Sequence, residues 1–575
     1  MLKHLRVVVP TPGRQPASSP TARFADQDTH HSSNTSGGGS ITITMTADAT
    51  GPPPTQRPML ASQRAKEQGS QSGQDAPKGI GAFFPLGYKE AAYQWWTSVT
   101  APVAQQNVLS HIPHIRPEAA ADAATAAAGS AEVAKAADPY GNRIWRTSMV
   151  QLSGKDRALN EFSVERVGEK VDDTLVVVHG YGAGLGFFYK NFEPLSRVKG
   201  WKLYALDMLG MGNSSRPGFK LPKSKDPIER TLEAEDWFVD SLEEWRRIRK
   251  IERFTLLGHS LGGYLAVSYA VKYPGRLNKL ILASPVGIPE DPYAASAQHE
   301  ASTMSNEFTQ DQETIVSRKN PPHTGDNNNF LNARSKTSAT PNATAAAVQA
   351  DGDKKRDTNS TGAPRRPLNK WIVWLWDANV SPFSLVRLSG PFGPRLVSGW
   401  TSRRFSHLPD SESRALHDYA YSLFRQRGSG EYALPYILAP GAFARRPIIN
   451  RIEELGRQVI KSPETTAAAT TTAPTTKPAE VRETGIPVVF MYGDSDWMDV
   501  KGGHAAAERL KARSREALLK GTPEEKRNEK GTAKVVIVSK AGHHLYIDNA
   551  DEFNKILTDE MKATSEESQK ERDVN

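Results

Sequence analysis

Ser260 stands in Gly258-His259-Ser260-Leu261-Gly262, directly after the apolar run Phe254–Leu257 and directly before Gly263–Ala270, a run with helical character. A serine between a strand and a helix, flanked by glycines, sits on a turn sharp enough to expose its hydroxyl as a nucleophile. The five-residue pattern alone is weak; the strand and helix around it separate it from an ordinary glycine-rich turn. A serine hydroxyl attacks only when a neighbouring base takes its proton. Lys540-Ala541-Gly542-His543-His544 offers two bases after the final apolar run, and His543 is preferred over His544 because it directly follows the small pair Ala541-Gly542. The acid that orients such a base is sought in Gly493-Asp494-Ser495-Asp496-Trp497-Met498-Asp499. Asp496 is preferred, with Asp494 and Asp499 expected to hydrogen-bond within the loop. The acid would orient the imidazole and stabilise its cation rather than take the proton. Nucleophile, acid, base is one of the established chain orders of such a triad.

Acyl transfer also needs hydrogen-bond donors for the tetrahedral oxyanion. The N–H of Leu261, at a helix start, and the N–H of Tyr181 in His179-Gly180-Tyr181-Gly182 are the expected donors. The glycine-rich run to Gly186 lacks the Gly-Lys-Ser/Thr ending of a phosphate loop. Asp207-Met208-Leu209-Gly210-Met211-Gly212-Asn213-Ser214-Ser215-Arg216-Pro217 reads as a structural turn beside the nucleophile. The chain has no cysteine, so thiolate nucleophiles, disulfides and cysteine-ligated metals are excluded. The chemistry itself calls for no metal and no redox cofactor.

A sheet must hold these residues at one edge. Thr174–Val178, Lys202–Leu206, Phe254–Leu257, Lys279–Leu282, Pro487–Phe490 and Lys534–Val538 are short β-rich runs separated by helical patterns. Such runs predict parallel strands covered on both faces, hence an α/β fold with a mostly parallel, doubly wound sheet. The span between Leu280 and Val488 is far longer than a βα connection needs. It is expected to carry a helical cap inserted before the acid-bearing strand. The predicted organisation is a disordered start (1–79), a helical extension and Ala-rich linker (80–141), and the first part of the core (142–292). A low-complexity insert (293–367), the cap with a Thr/Ala/Pro linker (368–484) and the second part of the core (485–575) follow. A charged run over 512–530 reads as a further, peripheral insertion before the last strand.

Of 575 residues only 38% are hydrophobic, and the mean hydropathy is −0.54, which fits a normal core diluted by low-complexity tracts. The net charge of +9 admits an anionic membrane surface or nucleic acid as partner. No nucleic-acid-binding motif accompanies the charge, so nucleic acid is not expected. The absence of cysteine fits an intracellular chain. No apolar run approaches the roughly 20 residues that cross a bilayer, so membrane contact would be peripheral. Lys3, Arg6, Arg14 and Arg23 precede the first acidic residue, Asp26, as in a mitochondrial transit segment. Trp371, Ile372, Val373, Trp374, Leu375 and Trp376 form a cap cluster of the kind found at membrane interfaces. Arg387, Arg395, Arg403, Arg404, Arg445 and Arg446 are expected to attract anionic headgroups.

His179–Gly182, Leu206 through Pro217, Gly258–Gly263, Gly390-Pro391-Phe392-Gly393-Pro394 and Gly542-His543 together resemble one branch of the α/β-hydrolase fold family. That branch contains the animal lipase coactivator of lipid droplets, the N-acylphosphatidylethanolamine lysophospholipase and the yeast mitochondrial cardiolipin deacylase. Tyr436–Pro447 resembles the last of these. The resemblance implies glycerophospholipid substrates, deacylation through an acyl-enzyme, and action at membranes. The coactivator lacks the nucleophilic serine; Ser260 therefore argues against a non-catalytic lipid-surface scaffold. The branch also carries an H-x-x-x-x-D motif linked to acyl-CoA-dependent lysophosphatidic acid acyltransferase activity, matched here by His543 and Asp548. Asp548 also suits a second role, capping the last helix. The expected function is a serine hydrolase of membrane glycerophospholipids of the cardiolipin type, with the CoA-dependent acyltransferase as the alternative.

Overall fold

Eight strands make one sheet in the order β1-β2-β4-β3-β5-β6-β9-β10. They are β1 (Arg143–Gln151), β2 (Ala158–Arg166), β3 (Asp173–Val178), β4 (Trp201–Leu206), β5 (Phe254–His259), β6 (Leu277–Ala283), β9 (Pro487–Gly493) and β10 (Thr532–Val538). A two-stranded cap hairpin supplies β7 (Leu438–Ala439) and β8 (Phe443–Ala444). The computed structural model describes residues 84–115, 138–291, 374, 376, 378–460 and 481–574. The expected disordered start with its transit-like segment, most of the Ala-rich linker, the insert over 293–367 and most of the Thr/Ala/Pro tract lie outside the described residues. Trp371, Ile372, Val373 and Leu375 also lie outside them.

Pairs β1–β2 and β2–β4 are antiparallel and every later pair is parallel. After β3 the chain adds β4 on one side and β5 on the other, so strand order reverses there. In such sheets the crevice beyond the carboxyl ends of the strands at the reversal is where ligands bind. Register brings those ends level: Val178 pairs with Gly258, His259 with Ala283, and Ala283 with Met491. The residues that follow each strand therefore share one edge.

Three features differ from the sequence expectation. Strands β1 and β2 carry too many polar residues to read as buried runs, yet β2 is almost wholly buried. Its polar side chains have internal partners: Glu161 accepts from Trp245 Nε1 at 2.8 Å and Arg249 Nε at 2.7 Å, and Asn160 donates to Asp207 at 2.7 Å. In contrast, β10 is an edge strand with Lys534 and Ile537 exposed rather than a strand covered on both faces. The charged run over 512–530 is no separate insertion. Its first half ends the crossover helix Val500–Lys520, which packs on β10, and a short helix Pro523–Arg527 follows with a Thr522/Glu525 capping box.

The cap is helical: Pro382–Leu388, Gly393–Arg404, Asp410–Phe424 and Leu434–Ile437 lie in the chain between β6 and β9. Two helices of the N-terminal extension, Tyr88–Thr97 and Ala101–Leu109, pack on it. Buried Gln94 joins the two parts: its Nε2 donates to Asp418 at 2.6 Å and its Oε1 accepts from His417 Nε2 at 3.1 Å. Among the described residues no helix is long and apolar enough to cross a membrane.

Candidate active site

Ser260 stands between the end of β5 and the start of the helix Leu261–Lys272, in a backbone conformation of φ 52° and ψ −116°. A non-glycine residue held there stores roughly 1–3 kcal/mol of strain, which the surrounding structure must offset. It is held by three main-chain bonds: Ser260 N–H donates to Ala283 O at 3.0 Å, and Ser260 O accepts from Tyr264 N at 3.1 Å and Val286 N at 3.3 Å. A serine at this position would ordinarily cap its helix through Oγ. Ser260 makes no such cap bond, so its hydroxyl is not spent on the helix. Close approach dictates the glycines: a Cβ at Gly262 would stand 2.5 Å from His179 O, and one at Gly180 would stand 3.0 Å from Ser260 Cβ. The His179–Gly182 loop thus lies directly behind the nucleophile.

Asp496 and His543 come together on the loops after β9 and β10, with Nδ1 of His543 3.3 Å from Asp496 Oδ1. Ser284, directly after β6, donates its hydroxyl to Asp496 Oδ2, and Met498 N–H donates to Oδ1 at 3.1 Å. Burial raises the Asp496 carboxyl, but the bond and charge of His543, then Ser284 and Met498, outweigh it and hold the carboxyl below its usual range. With Nδ1–H given to the carboxylate, the basic lone pair of His543 is on Nε2. The Trp497 ring lies 4.8 Å from the imidazole.

The loop that bears His543 is fixed residue by residue. Asp494 accepts from Lys540 N–H at 2.8 Å and Ala541 N–H at 3.3 Å, so it bonds to the neighbouring loop as well as to Ser495 in its own. Asp548 accepts from Gly542 N–H at 3.0 Å. His259 Nε2–H donates to His543 O at 3.0 Å. His544 is a poor rival as base. Its Nδ1 accepts from Arg404 Nε at 3.0 Å, and burial, then the Arg404 charge, push its pKa far below the usual value. Asp499 precedes the helix Val500–Lys520 without a side-chain cap bond.

The capping role expected of Asp548 is corrected. Asp548 ends the short helix Leu545–Asp548, and Asn549 instead caps the last helix, Ala550–Val574, by accepting from Glu552 N–H at 3.3 Å. Asp548 is one residue too early to reach that N–H.

On the other side of Ser260, His179 Nε2 accepts from Met208 N–H at 3.1 Å, so Nδ1 carries the hydrogen and donates to Gly180 O at 2.7 Å. A trans peptide points its N–H opposite to its C=O. Fixing Gly180 O therefore fixes the direction of the Tyr181 N–H. Leu261 begins its helix, where the first N–H groups lack intrahelical partners and attract negative charge. Asp207, fully buried, accepts from Leu185 N–H at 2.6 Å, Asn213 N–H at 2.7 Å and Asn160. The Asp207–Pro217 turn is thus the scaffold on which the His179–Gly186 loop is built. Sequence reasoning passes over Ser284, which only its place after β6 marks, and it reads His179 only as part of the oxyanion loop, Asp207 only as part of a structural turn and Arg404 only as a headgroup arginine.

The cap closes over this edge. Ser260 and His543 are each only 3% exposed. Tyr181 stacks on Phe383 at 5.0 Å, and Phe383 on Phe424 at 4.5 Å. Trp376 belongs to the core, donating Nε1–H to Leu438 O at 3.3 Å, while Trp374 is exposed. The arginines expected to attract headgroups largely bond to other groups of the protein, although Arg445 is itself exposed. Arg387 pairs with Glu431 at 2.6 Å, Arg404 with Asp548 at 2.6 Å and Arg446 with Glu235 at 2.9 Å. Arg395 bonds to Leu86 O and lies over the Tyr88 ring, and Arg445 bonds to Pro435 O at 2.6 Å. Among the described residues no group of three or more His, Cys, Asp or Glu could hold a metal ion.

Residues 173–550 match the family described as alpha/beta hydrolase fold, and the chain belongs to that family. Within it the chain falls in the branch that its motifs resemble. It is 28% identical to a probable 1-acylglycerol-3-phosphate O-acyltransferase of Oryza sativa subsp. japonica, over 70% of this chain and 70% of that protein. It is 28% identical to the mouse (Mus musculus) 1-acylglycerol-3-phosphate O-acyltransferase ABHD5, over 72% of this chain and 83% of that protein. It is 27% identical to the human (Homo sapiens) (lyso)-N-acylphosphatidylethanolamine lipase, over 67% of this chain and 77% of that protein.

Proposed function

We propose that this chain is a lipid-modifying serine hydrolase that deacylates membrane glycerophospholipids through an acyl-enzyme on Ser260. The observation that carries the reading is the hydrogen bond of His543 to buried Asp496 on loops tied to the strained Ser260 turn. Ser260 Oγ attacks the acyl carbonyl while His543 Nε2 takes its proton, and Asp496 stabilises the imidazolium. The N–H groups of Tyr181 and Leu261 receive the oxyanion. His543 then returns the proton to the leaving lysolipid oxygen, and water repeats the cycle to release the fatty acid. No step draws on a metal or a redox cofactor.

A lipid surface as partner is supported by exposed apolar side chains on the N-terminal helix and on the cap, which meet at Tyr88 and Phe392. Trp96 is 81% and Leu388 86% exposed, and Tyr88 meets exposed Phe392 edge-on at 5.8 Å. Aromatic and aliphatic side chains displayed together favour the membrane interface. The cardiolipin-type substrate and a mitochondrial membrane are the finer proposal, resting on the resemblance of Tyr436–Pro447 and on the basic start of the chain.

The names of two of the relatives favour a second reading, acyl transfer to 1-acylglycerol-3-phosphate. A lysolipid accepting the acyl group from Ser260 in place of water would make a transacylase; direct transfer from acyl-CoA would use His543 and Asp548. The experiment is product analysis by mass spectrometry on vesicles containing cardiolipin and phosphatidylethanolamine, with and without lysophosphatidic acid and acyl-CoA. Wild type is expected to release fatty acid and lysolipid without acyl-CoA, and Ser260→Ala to release neither. Acyl-CoA-dependent transfer that survives in Ser260→Ala would establish the acyltransferase instead.

A further inference from the structure

Asp548 stands five residues beyond His543, and both of its oxygens are engaged: Oδ2 accepts from Gly542 N–H at 3.0 Å and Oδ1 from Arg404 Nη2 at 2.6 Å. Arg404 is the last residue of the cap helix Gly393–Arg404, and its Nε donates to His544 Nδ1 at 3.0 Å. Gly542 and His544 are the neighbours of His543 on either side. One ion pair thus holds both flanks of the base. Its side chains are only 11% and 10% exposed, so water screens it little. The other tethers of the loop, from Asp494 and His259, come from the sheet side; this one comes from the cap.

We infer that Arg404 and Asp548 form a positioning brace that sets His543 for proton transfer and couples it to the cap, so that the H-x-x-x-x-D spacing serves geometry and not a second acyl-transfer chemistry. Asp548 reaches back six residues to Gly542 because the short helix Leu545–Asp548 turns the chain through a single turn. Arg404 suits the task because its planar fork presents Nε and Nη2 to two acceptors in fixed geometry, whereas lysine offers a single point charge on a flexible stem. Neither residue touches a reacting atom; both are positioning residues. The inference rests on His543 serving as the base of Ser260.

The test compares wild type with Arg404→Met, Arg404→Lys, Asp548→Asn and the double variant Arg404→Met/Asp548→Asn. Two readouts are taken per titrated active site: hydrolysis of the small soluble ester p-nitrophenyl butyrate, and the rate of Ser260 labelling by a fluorophosphonate. Loss of positioning is expected to lower kcat and the labelling rate by about 10- to 100-fold with little change in KM. Arg404→Lys should fall between wild type and Arg404→Met. The double variant should be no worse than the worse single one, because the residues act as a unit. Unchanged kcat per titrated site, a change confined to KM, or additive losses would overturn the brace while leaving the hydrolase reading intact. A wild type that neither labels nor hydrolyses would overturn both. Should Arg404→Met fail to fold, Arg404→Lys and Asp548→Asn decide by the same two readouts.

Discussion

His259 Nε2–H donates to the main-chain carbonyl of His543 at 3.0 Å, so the residue before the candidate nucleophile holds the residue that bears the candidate base. Two segments 284 positions apart in the chain are thereby made one unit. Burial, and then the charge of His543, press the His259 pKa far below its usual value, so the ring stays neutral and keeps the tautomer the bond needs. His259→Phe keeps an aromatic ring but removes the donor. It should lower kcat by about tenfold and cost about 1–3 kcal/mol in stability, since a buried carbonyl is left unpaired. Steady-state kinetics and urea unfolding measure the two effects, and unchanged kcat would contradict the tether.

Ser284 gives its hydroxyl to Asp496 from the loop after β6. Ser284→Ala should raise the Asp496 carboxyl toward its usual range and lower kcat by about tenfold, a charge-assisted bond contributing about 1.5–3 kcal/mol. Asp496→Asn should be far worse, by about 10⁴-fold, because an amide favours the wrong imidazole tautomer. Equal rates for the two variants would remove Asp496 from its assigned role.

His417, buried between Thr401 and Gln94, is pushed down by burial to about 3. In the unfolded chain it takes a proton near pH 6.5. Between those values the unfolded state binds more protons, so stability present above about pH 6.5 is lost as pH falls toward 3. Each such histidine contributes a slope of up to about 1.4 kcal/mol per pH unit. His259 and His544, also held neutral by burial, act in the same direction. Asp496, held below its usual range, adds a loss at still lower pH, as the medium passes through its folded pKa. Urea unfolding from pH 7 to pH 4 should show falling stability, less steeply in His417→Gln; a flat profile would contradict the assignment.

Gly262→Ala would place a methyl carbon 2.5 Å from His179 O and 2.8 Å from Val178 O, both main-chain atoms that cannot step aside. The variant should be insoluble, or folded with Tyr181 displaced and labelling at Ser260 abolished. A variant labelled at the wild-type rate would show that the oxyanion loop is not seated as described.

Much of the fold was legible because apolar runs such as Leu175–Val178 and Leu280–Leu282 have little else to be than buried strands. The loops that end such strands then marked Ser260, Asp496 and His543 as candidates. Strand β2 stayed hidden because Asn160, Glu161 and Ser163 look solvated, and the partners that make their burial tolerable, Asp207, Trp245 and Arg249, come from distant parts of the chain. The same reason hid Ser284 and Arg404, whose meaning is a contact and not a pattern. Asp548 was misread as a helix cap because its spacing suits one, whereas its bonds run to Gly542 and Arg404.

The central claim is that an acyl group passes through Ser260. Rapid quenching of the full chain with phospholipid vesicles, followed by mass spectrometry of the peptide that contains Ser260, tests it most directly. The account predicts an acyl ester on Ser260 that forms before free fatty acid accumulates and is absent in Ser260→Ala. Lysolipid formed by Ser260→Ala at the wild-type rate, with no adduct on the wild-type peptide, would contradict it.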